Sequence, residues 1–97
     1  MEITNKGGEL FFNGEFILEN VEDIKNDLLK VLSEIKTQDV KLNFINILEL
    51  DSAGLQTILS FCKTLKENNV GYSVSSINED ILNILEISGL GKYLNLA

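Results

Sequence analysis

Apolar and polar residues alternate along several stretches of this chain, which is the pattern of β-strands with one covered face. Residues 1–5 alternate in this way, with Met1 and Ile3 on one face, and predict an edge strand. A Gly-Gly turn follows, and GELFFNGEF at residues 8–16 predicts a returning strand. The N-terminal segment is therefore expected to form a β-hairpin.

Two later segments also predict strands. In residues 40–44, VKLNF alternates apolar with polar side chains, and residues 45–50 continue as a mostly apolar stretch. This pattern predicts a central strand that leads into a buried turn. Residues 70–75 alternate again and predict the last strand.

Three segments instead repeat apolar residues at steps of three and four, the spacing of one helical face. Asn20 and Asn78 precede the first and third segments and are candidate N-caps, and Gly89 is a candidate C-terminal stop. The apolar positions are Val21, Ile24, Leu28, Val31 and Ile35, then Leu55, Ile58, Leu59, Cys62 and Leu65, and finally Ile81, Leu82, Ile84 and Leu85.

The predicted order is strand, strand, helix, strand, helix, strand, helix. Strands that flank one helix are expected to pair in parallel through a right-handed crossover. The sequence thus predicts an α/β fold in a single domain, residues 1–97, with a small mixed sheet of four to five strands and three to four helices.

Composition narrows the possible functions. Hydrophobic residues make up 44% of the chain and charged residues 24%, as in ordinary globular proteins. No apolar run could span a membrane and the N-terminus does not resemble a secretory signal, so a cytoplasmic location is expected. The net charge of −7, with only eight Lys and Arg residues, disfavours direct binding to nucleic acid or to anionic lipid. The single cysteine, Cys62, is expected to act as a small buried hydrophobic residue.

The stretch ELDSAGLQTIL, residues 49–59, contains the most reactive-looking alcohol of the chain, Ser52. A serine between a strand and a helix is a favoured N-cap, and the pattern favours that role. A hydroxyl at a helix N-terminus also lies where another protein can approach, and a phosphate there would add about −1.5 to −2 charges. Ser52 is therefore also a candidate regulatory site.

Catalysis is disfavoured by the residues around Ser52. The chain has no histidine to act as a base, DSAGL lacks the first glycine of a serine-hydrolase elbow, and Gly54 has no lysine partner for a phosphate loop. Without histidine or a calcium-loop pattern, a metal site is also disfavoured. We expect no enzymatic activity and no cofactor.

Phe11, Phe12 and Phe16 crowd the second predicted strand, so at least one of them must point away from the sheet's covered face. A core on both faces of the sheet is the favoured interpretation. A partner or dimer surface is the alternative. The sequence leaves the oligomeric state open.

Three motifs in order resemble the STAS domain, a small fold shared by sulfate transporters and anti-sigma factor antagonists. They are GEF at residues 14–16, VKLNFINILELDSAGLQTIL at residues 40–59 and LEISGLGKYLNL at residues 85–96. Together they span nearly the whole chain. The chain departs from the family pattern at three positions: Ile17 and Asn43 replace frequent aspartates, and Glu49 replaces an apolar or aromatic residue.

The resemblance implies a regulatory binding protein that switches partners by reversible phosphorylation. In such antagonists the serine after the aspartate is phosphorylated by a partner that is both a kinase and an anti-sigma factor. By motif, Ser52 is the phosphorylation site, and the partner-binding residues are Glu15, Asp51, Ala53, Gly54 and Leu55.

The resemblance leaves other protein partners open. Some STAS proteins of similar size are subunits of an ABC lipid-transport system, in which the Ser or Thr at this turn contacts the ATPase. Others accompany chemotaxis and signalling operons. The alternative prediction is therefore a subunit that binds its partner without phosphorylation.

Overall fold

The structure, a computed structural model, describes residues 2–94. Met1 and residues 95–97, the end of the apolar tail, lie outside the described residues. The elements are the strands β1 (Glu2–Lys6), β2 (Glu9–Phe16), β3 (Asp39–Phe44), β4 (Ile47–Leu50) and β5 (Gly71–Ile77), and the helices α1 (Val21–Glu34), α2 (Ser52–Glu67) and α3 (Glu79–Ser88). Short 3-10 turns cover Leu18–Asn20 and Gly91–Leu94.

The predicted α/β architecture is confirmed. The main path of the mixed sheet runs β1, β2, β3, β5, with β1 antiparallel to β2 at one edge. As predicted, the strands that flank α2 along the main path, β3 and β5, pair in parallel. Among residues 2–94, no helix is both long and apolar enough to cross a lipid bilayer.

Strand β2 is shared between two partners, and this division positions the start of α2. Its first half pairs with β3, while residues 14–16 pair in parallel with β4, with a register shift between Gly14 and Glu15. Gly14 has φ +109°, a conformation that favours glycine. The end of β2 and the end of β4 therefore lie side by side, directly before α2.

The prediction of a buried turn after β3 is wrong. Residues 45 and 46 form a turn in which Ile45 is exposed, and Ile47–Leu50 form a separate short strand, β4. Leu48 on β4 is 79% exposed. Only Ile47 and Leu50 of this apolar stretch belong to the core.

The core lies on one face of the sheet, so the predicted two-sided core is also wrong. Phe12 and Phe16 are fully buried, and Phe12 packs edge-on against Phe44 at 5.0 Å between ring centroids. Phe11 alternates to the other face, where it is half-buried beneath the Lys6 ammonium. The helices pack against the first face and leave the second open.

Polar side chains join the strands on the open face. The Glu9 carboxylate accepts hydrogen bonds from Ser75 Oγ at 2.7 Å and from Asn43 Nδ2 at 3.1 Å. These two bonds, with a smaller contribution from Lys41, lower the pKa of Glu9. Asn43, which departs from the family pattern, is buried and links β2 to β3.

The caps follow the predictions at Asn78 and Gly89 but not at Asn20. Asn78 Oδ1 accepts the backbone N–H of Ile81 at 3.0 Å, and Gly89 ends α3 with φ +72°. Asn20 makes no capping bond. Its side chain instead donates to the backbone carbonyl of Glu15 at 2.8 Å, which holds the 3-10 turn against the end of β2.

Candidate functional site: the N-terminus of helix α2

Asp51, not Ser52, caps α2, which corrects the prediction for the serine. Asp51 Oδ1 accepts the backbone N–H of Gly54 at 2.9 Å, and Oδ2 accepts the backbone N–H of Leu18 at 2.9 Å. These two bonds lower the pKa of Asp51, the bond from Gly54 having the larger effect. One carboxylate therefore fixes both the helix N-terminus and the 3-10 turn after β2.

Ser52 is the first residue of α2 and is exposed. Its hydroxyl makes no hydrogen bond to any residue of the described chain. Because Asp51 already satisfies the helix amide at Gly54, the hydroxyl is free to react or to bind another molecule. The prediction that Ser52 lies at an approachable helix mouth agrees with this geometry.

Gly54 allows α2 to begin in close contact with β2. A Cβ at this position would lie 1.8 Å from the carbonyl oxygen of Phe16, so only glycine fits. The backbone N–H of Asp51 donates to the same carbonyl at 3.3 Å. The helix N-terminus is therefore held directly on the end of β2.

The predicted partner-binding residues divide into two groups. Glu15 and Asp51 are exposed and Ala53 is half-buried, so these residues can touch a visiting protein. Gly54 is buried and Leu55 is only 4% exposed. Their burial gives them a packing role beneath the surface that carries Ser52.

Carboxylates cluster on the elements that come directly before α2. Glu15 on β2 and Glu49 on β4 are aligned across the parallel ladder. The pKa of Glu49 is raised, first by a hydrogen bond with Glu15, then by desolvation, and then by repulsion from Glu15, Glu19 and Asp51. This acidic surface, Glu15, Glu19, Glu49 and Asp51, gives any added phosphate a strongly negative setting.

Sequence reasoning missed Leu18 and Glu19 as parts of this surface. Leu18 is 67% exposed, although its backbone is tied to Asp51. Leu18 belongs to neither an alternating nor a helical pattern in the sequence. A large apolar residue outside any such pattern could have indicated an exposed contact surface. Glu19 reaches the site because the 3-10 turn packs next to α2.

The chemistry available here is binding and modification. The site offers an exposed alcohol, several carboxylates and an exposed leucine, but the chain has no histidine to act as a base for the serine. Cys62 lies further along α2, and burial raises the pKa of its thiol to about 12, which agrees with its predicted role as a buried hydrophobe.

Comparison with known proteins gives one family. The chain is 28% identical over 88 residues to the anti-sigma-B factor antagonist of Staphylococcus epidermidis. The aligned residues cover 91% of this chain and 81% of the relative. In three dimensions it resembles SpoIIAA, an anti-sigma factor antagonist, in its unphosphorylated form, with a TM-score of 0.71, 17% identity and coverage of 99% of this chain and 86% of the other.

Two further solved structures share the fold. The protein TM1081 superposes with a TM-score of 0.75, at 17% identity and with coverage of 98% and 78%. The phosphorylated form of SpoIIAA, a Bacillus cell fate determinant, superposes with a TM-score of 0.65, at 17% identity and with coverage of 99% and 89%. The sequence profile of the STAS domain matches residues 1–97, and the chain therefore belongs to the STAS domain family.

Proposed function

We propose that this chain is a regulatory binding protein of the anti-sigma factor antagonist type, which releases its partner when Ser52 is phosphorylated. The observation that carries the proposal is the exposed, uncommitted Ser52 hydroxyl at the start of α2. The name of the Staphylococcus relatives and the two phosphorylation states of SpoIIAA support the same type of function.

The fold can accept a phosphate at this position. The N-terminus of a helix carries a partial positive charge, which favours an added anion. Gly54 and Leu55 lie beneath the surface, so modification of Ser52 leaves the packing of α2 on β2 intact. The modified and unmodified chains therefore keep one fold and differ at the surface.

A bound partner would experience a larger change. Unmodified, the surface offers Leu18 and Ala53 together with the neutral serine. A phosphate adds about −1.5 to −2 charges beside Asp51 and Glu49, so a partner that packs apolar or acidic groups there loses its fit. A loss of about 3 kcal/mol would weaken binding more than a hundredfold.

The proposed partner is an anti-sigma factor that also acts as the serine kinase, in the cytoplasm. The chain itself acts by binding rather than by catalysis. Direct contacts come from Ser52, Asp51, Ala53 and Glu15, whereas Gly54 and Leu55 position them.

The test uses the anti-sigma factor of the same organism, with ATP, and measures intact mass and binding affinity. We expect one phosphate on the wild type and none on S52A, and S52A should bind like the unmodified wild type. S52D should bind at least about a hundredfold more weakly. Ser60 is exposed on the same helix, so S60A and S60D are the matched controls. Equal affinities for S52A and S52D would refute the switch.

A constitutive subunit of an ABC transport complex is the second candidate. The same uncommitted hydroxyl favours it, because a free Ser52 hydroxyl can also donate a hydrogen bond to a partner without being modified. Co-purification with an ABC ATPase, with no phosphate on Ser52 in cells, would support this function over the first.

A further inference from the structure

A small pocket lies near the C-terminal end of α2, far from Ser52. Its volume is about 250 Å³, and its lining consists of Leu59, Cys62, Lys63, Lys66, Tyr72 and Tyr93. Lys63 follows Ser52 by about 16 Å along the helix axis, at roughly 1.5 Å per residue. The pocket is therefore separate from the surface that carries Ser52.

The pocket concentrates positive charge in an acidic protein. Lys63 and Lys66 line it, and Lys92 lies beside it, with its ammonium 5.3 Å from the centroid of the Tyr93 ring. These are three of the eight cationic residues of a chain with net charge −7. None of the three forms an ion pair with a residue of the described chain.

Lys66 and Lys92 each lie over a tyrosine ring, and the ammonium of Lys66 is 5.7 Å from the centroid of the Tyr72 ring. Lys66 lies in the last turn of α2, where a cation complements the helix dipole. Lys63 lies a turn earlier, and Lys92 comes from the 3-10 turn near the C-terminus. The presence of Lys63 beside Lys66 in one pocket is not explained by the dipole.

The walls of the pocket are apolar and aromatic. Tyr93 is 52% exposed and presents its ring, while Cys62 and Leu59 provide an apolar floor. Tyr72 donates its hydroxyl proton to the backbone carbonyl of Tyr93 at 2.8 Å, which fixes the two aromatic residues relative to each other. The pocket thus combines a flat apolar wall with ammonium groups.

We propose that this pocket binds a small organic anion with a flat apolar body, such as an aryl phosphate or an aryl carboxylate. The ring of the ligand packs between Tyr93 and the apolar floor, and its anionic group faces Lys63 and Lys66. The volume is below the range of typical drug-sized sites, about 300–1,000 Å³, so it fits one ring with its charged substituent.

The test is an NMR titration of the isotope-labelled full chain with phenyl phosphate, with phenol and inorganic phosphate as separate arms. We expect saturable shifts at the amides of Cys62, Lys63 and Tyr93. Phenol and inorganic phosphate should each bind at least about tenfold more weakly than phenyl phosphate, because phenol lacks the anionic group and inorganic phosphate lacks the ring. An absence of saturable shifts, or equally tight binding of inorganic phosphate, would overturn the proposal.

Two variants assign the binding to the pocket. K63Q/K66Q should lower the affinity for phenyl phosphate at least about tenfold. K30Q/K36Q, with both changes outside the pocket, should leave that affinity unchanged. Y93S removes the ring but keeps the carbonyl that accepts from Tyr72, so its affinity for phenyl phosphate should fall to that for inorganic phosphate. Unchanged affinity in K63Q/K66Q would refute the site. S52D should bind phenyl phosphate like the wild type, which makes the result independent of the proposed switch.

Discussion

At the start of α2, two neighbouring residues have separate roles. Asp51 holds the helix N-terminus and the turn at Leu18 through its two carboxylate oxygens. The Ser52 hydroxyl makes no hydrogen bond to a residue of the described chain and remains exposed. The residue that stabilises the site and the residue for which we propose phosphorylation are therefore different, so each can be tested without disturbing the other.

Substitution of Asp51 should lower stability, whereas substitution of Ser52 should not. D51A removes acceptors from two backbone N–H groups, and we expect Tm to fall by roughly 5 °C. D51N keeps one good acceptor, so its Tm should lie between those of D51A and the wild type. S52A should leave Tm unchanged. Thermal unfolding followed by circular dichroism measures all three, and a larger loss in S52A than in D51A would contradict the assignment of the cap.

The Glu15 and Glu49 pair should give this surface a pH dependence. The pKa of Glu49 is raised above its ordinary value of 4.5, mainly by Glu15. The folded chain therefore holds this proton to a higher pH than the unfolded chain does. The contribution of Glu49 to the free energy of unfolding falls as pH rises from about 4.5 through the raised pKa.

The variant E15Q isolates this effect. Its side-chain amide can donate to the Glu49 carboxylate without adding a charge, so the pKa of Glu49 should fall toward its ordinary value of 4.5, while burial, Glu19 and Asp51 still act to raise it. Carboxyl NMR titration measures it directly. E67Q, at the end of α2, is the matched control and should leave the pKa of Glu49 unchanged. A Glu49 pKa that is the same in E15Q as in the wild type would show that Glu15 is not its main cause.

At the scale of whole elements, Gly54 sets how closely α2 approaches β2. G54A places a methyl group against the Phe16 carbonyl. Because the methyl group is attached directly to the helix backbone and the carbonyl is part of the strand backbone, neither can move aside cheaply. We expect a loss of about 3 kcal/mol or more in the free energy of unfolding. Q56A, at an exposed position on the same helix, should change it by less than about 0.5 kcal/mol. Urea unfolding distinguishes the two, and equal stabilities would refute the tight contact.

The elements that sequence could predict are those whose signal is local. Helical spacing located all three helices, and alternation located β1, β2, β3 and β5. The division of β2 between β3 and β4 could not be predicted, because it depends on a register shift at Gly14 and on pairing with residues more than thirty positions away. An apolar stretch such as residues 45–50 does not reveal where a strand is interrupted.

Hydrogen bonds with residues outside the helix also explain why the cap predictions for Ser52 and Asn20 were wrong. Asp and Ser are equally good N-caps, and the choice of Asp51 involves a second bond, from the backbone of Leu18, 33 residues away. Asn20 has a favourable cap residue type, but its side chain is used by the Glu15 carbonyl. The exposed serine at the helix mouth was predictable, whereas its freedom from capping was not.

Across the whole molecule, the two faces of the sheet differ in what covers them. The helices cover one face and carry both the Ser52 surface and the lysine pocket, one near each end of α2. The other face is polar and is tied together by the Glu9 carboxylate. Parallel strands are usually covered on both faces, and here the polar residues make an open face tolerable.

The two faces should differ sharply in their response to mutation, and adjacent phenylalanines provide the comparison. Phe12 is fully buried against Phe16 and Phe44, so F12A should lower the free energy of unfolding by about 3–5 kcal/mol. Phe11 lies half-buried on the open face, so F11A should cost about 1 kcal/mol or less. Urea unfolding measures both. If F12A does not fold, F12L and F11L give the same ordering, and a larger loss at Phe11 than at Phe12 would mean that the open face is covered in solution.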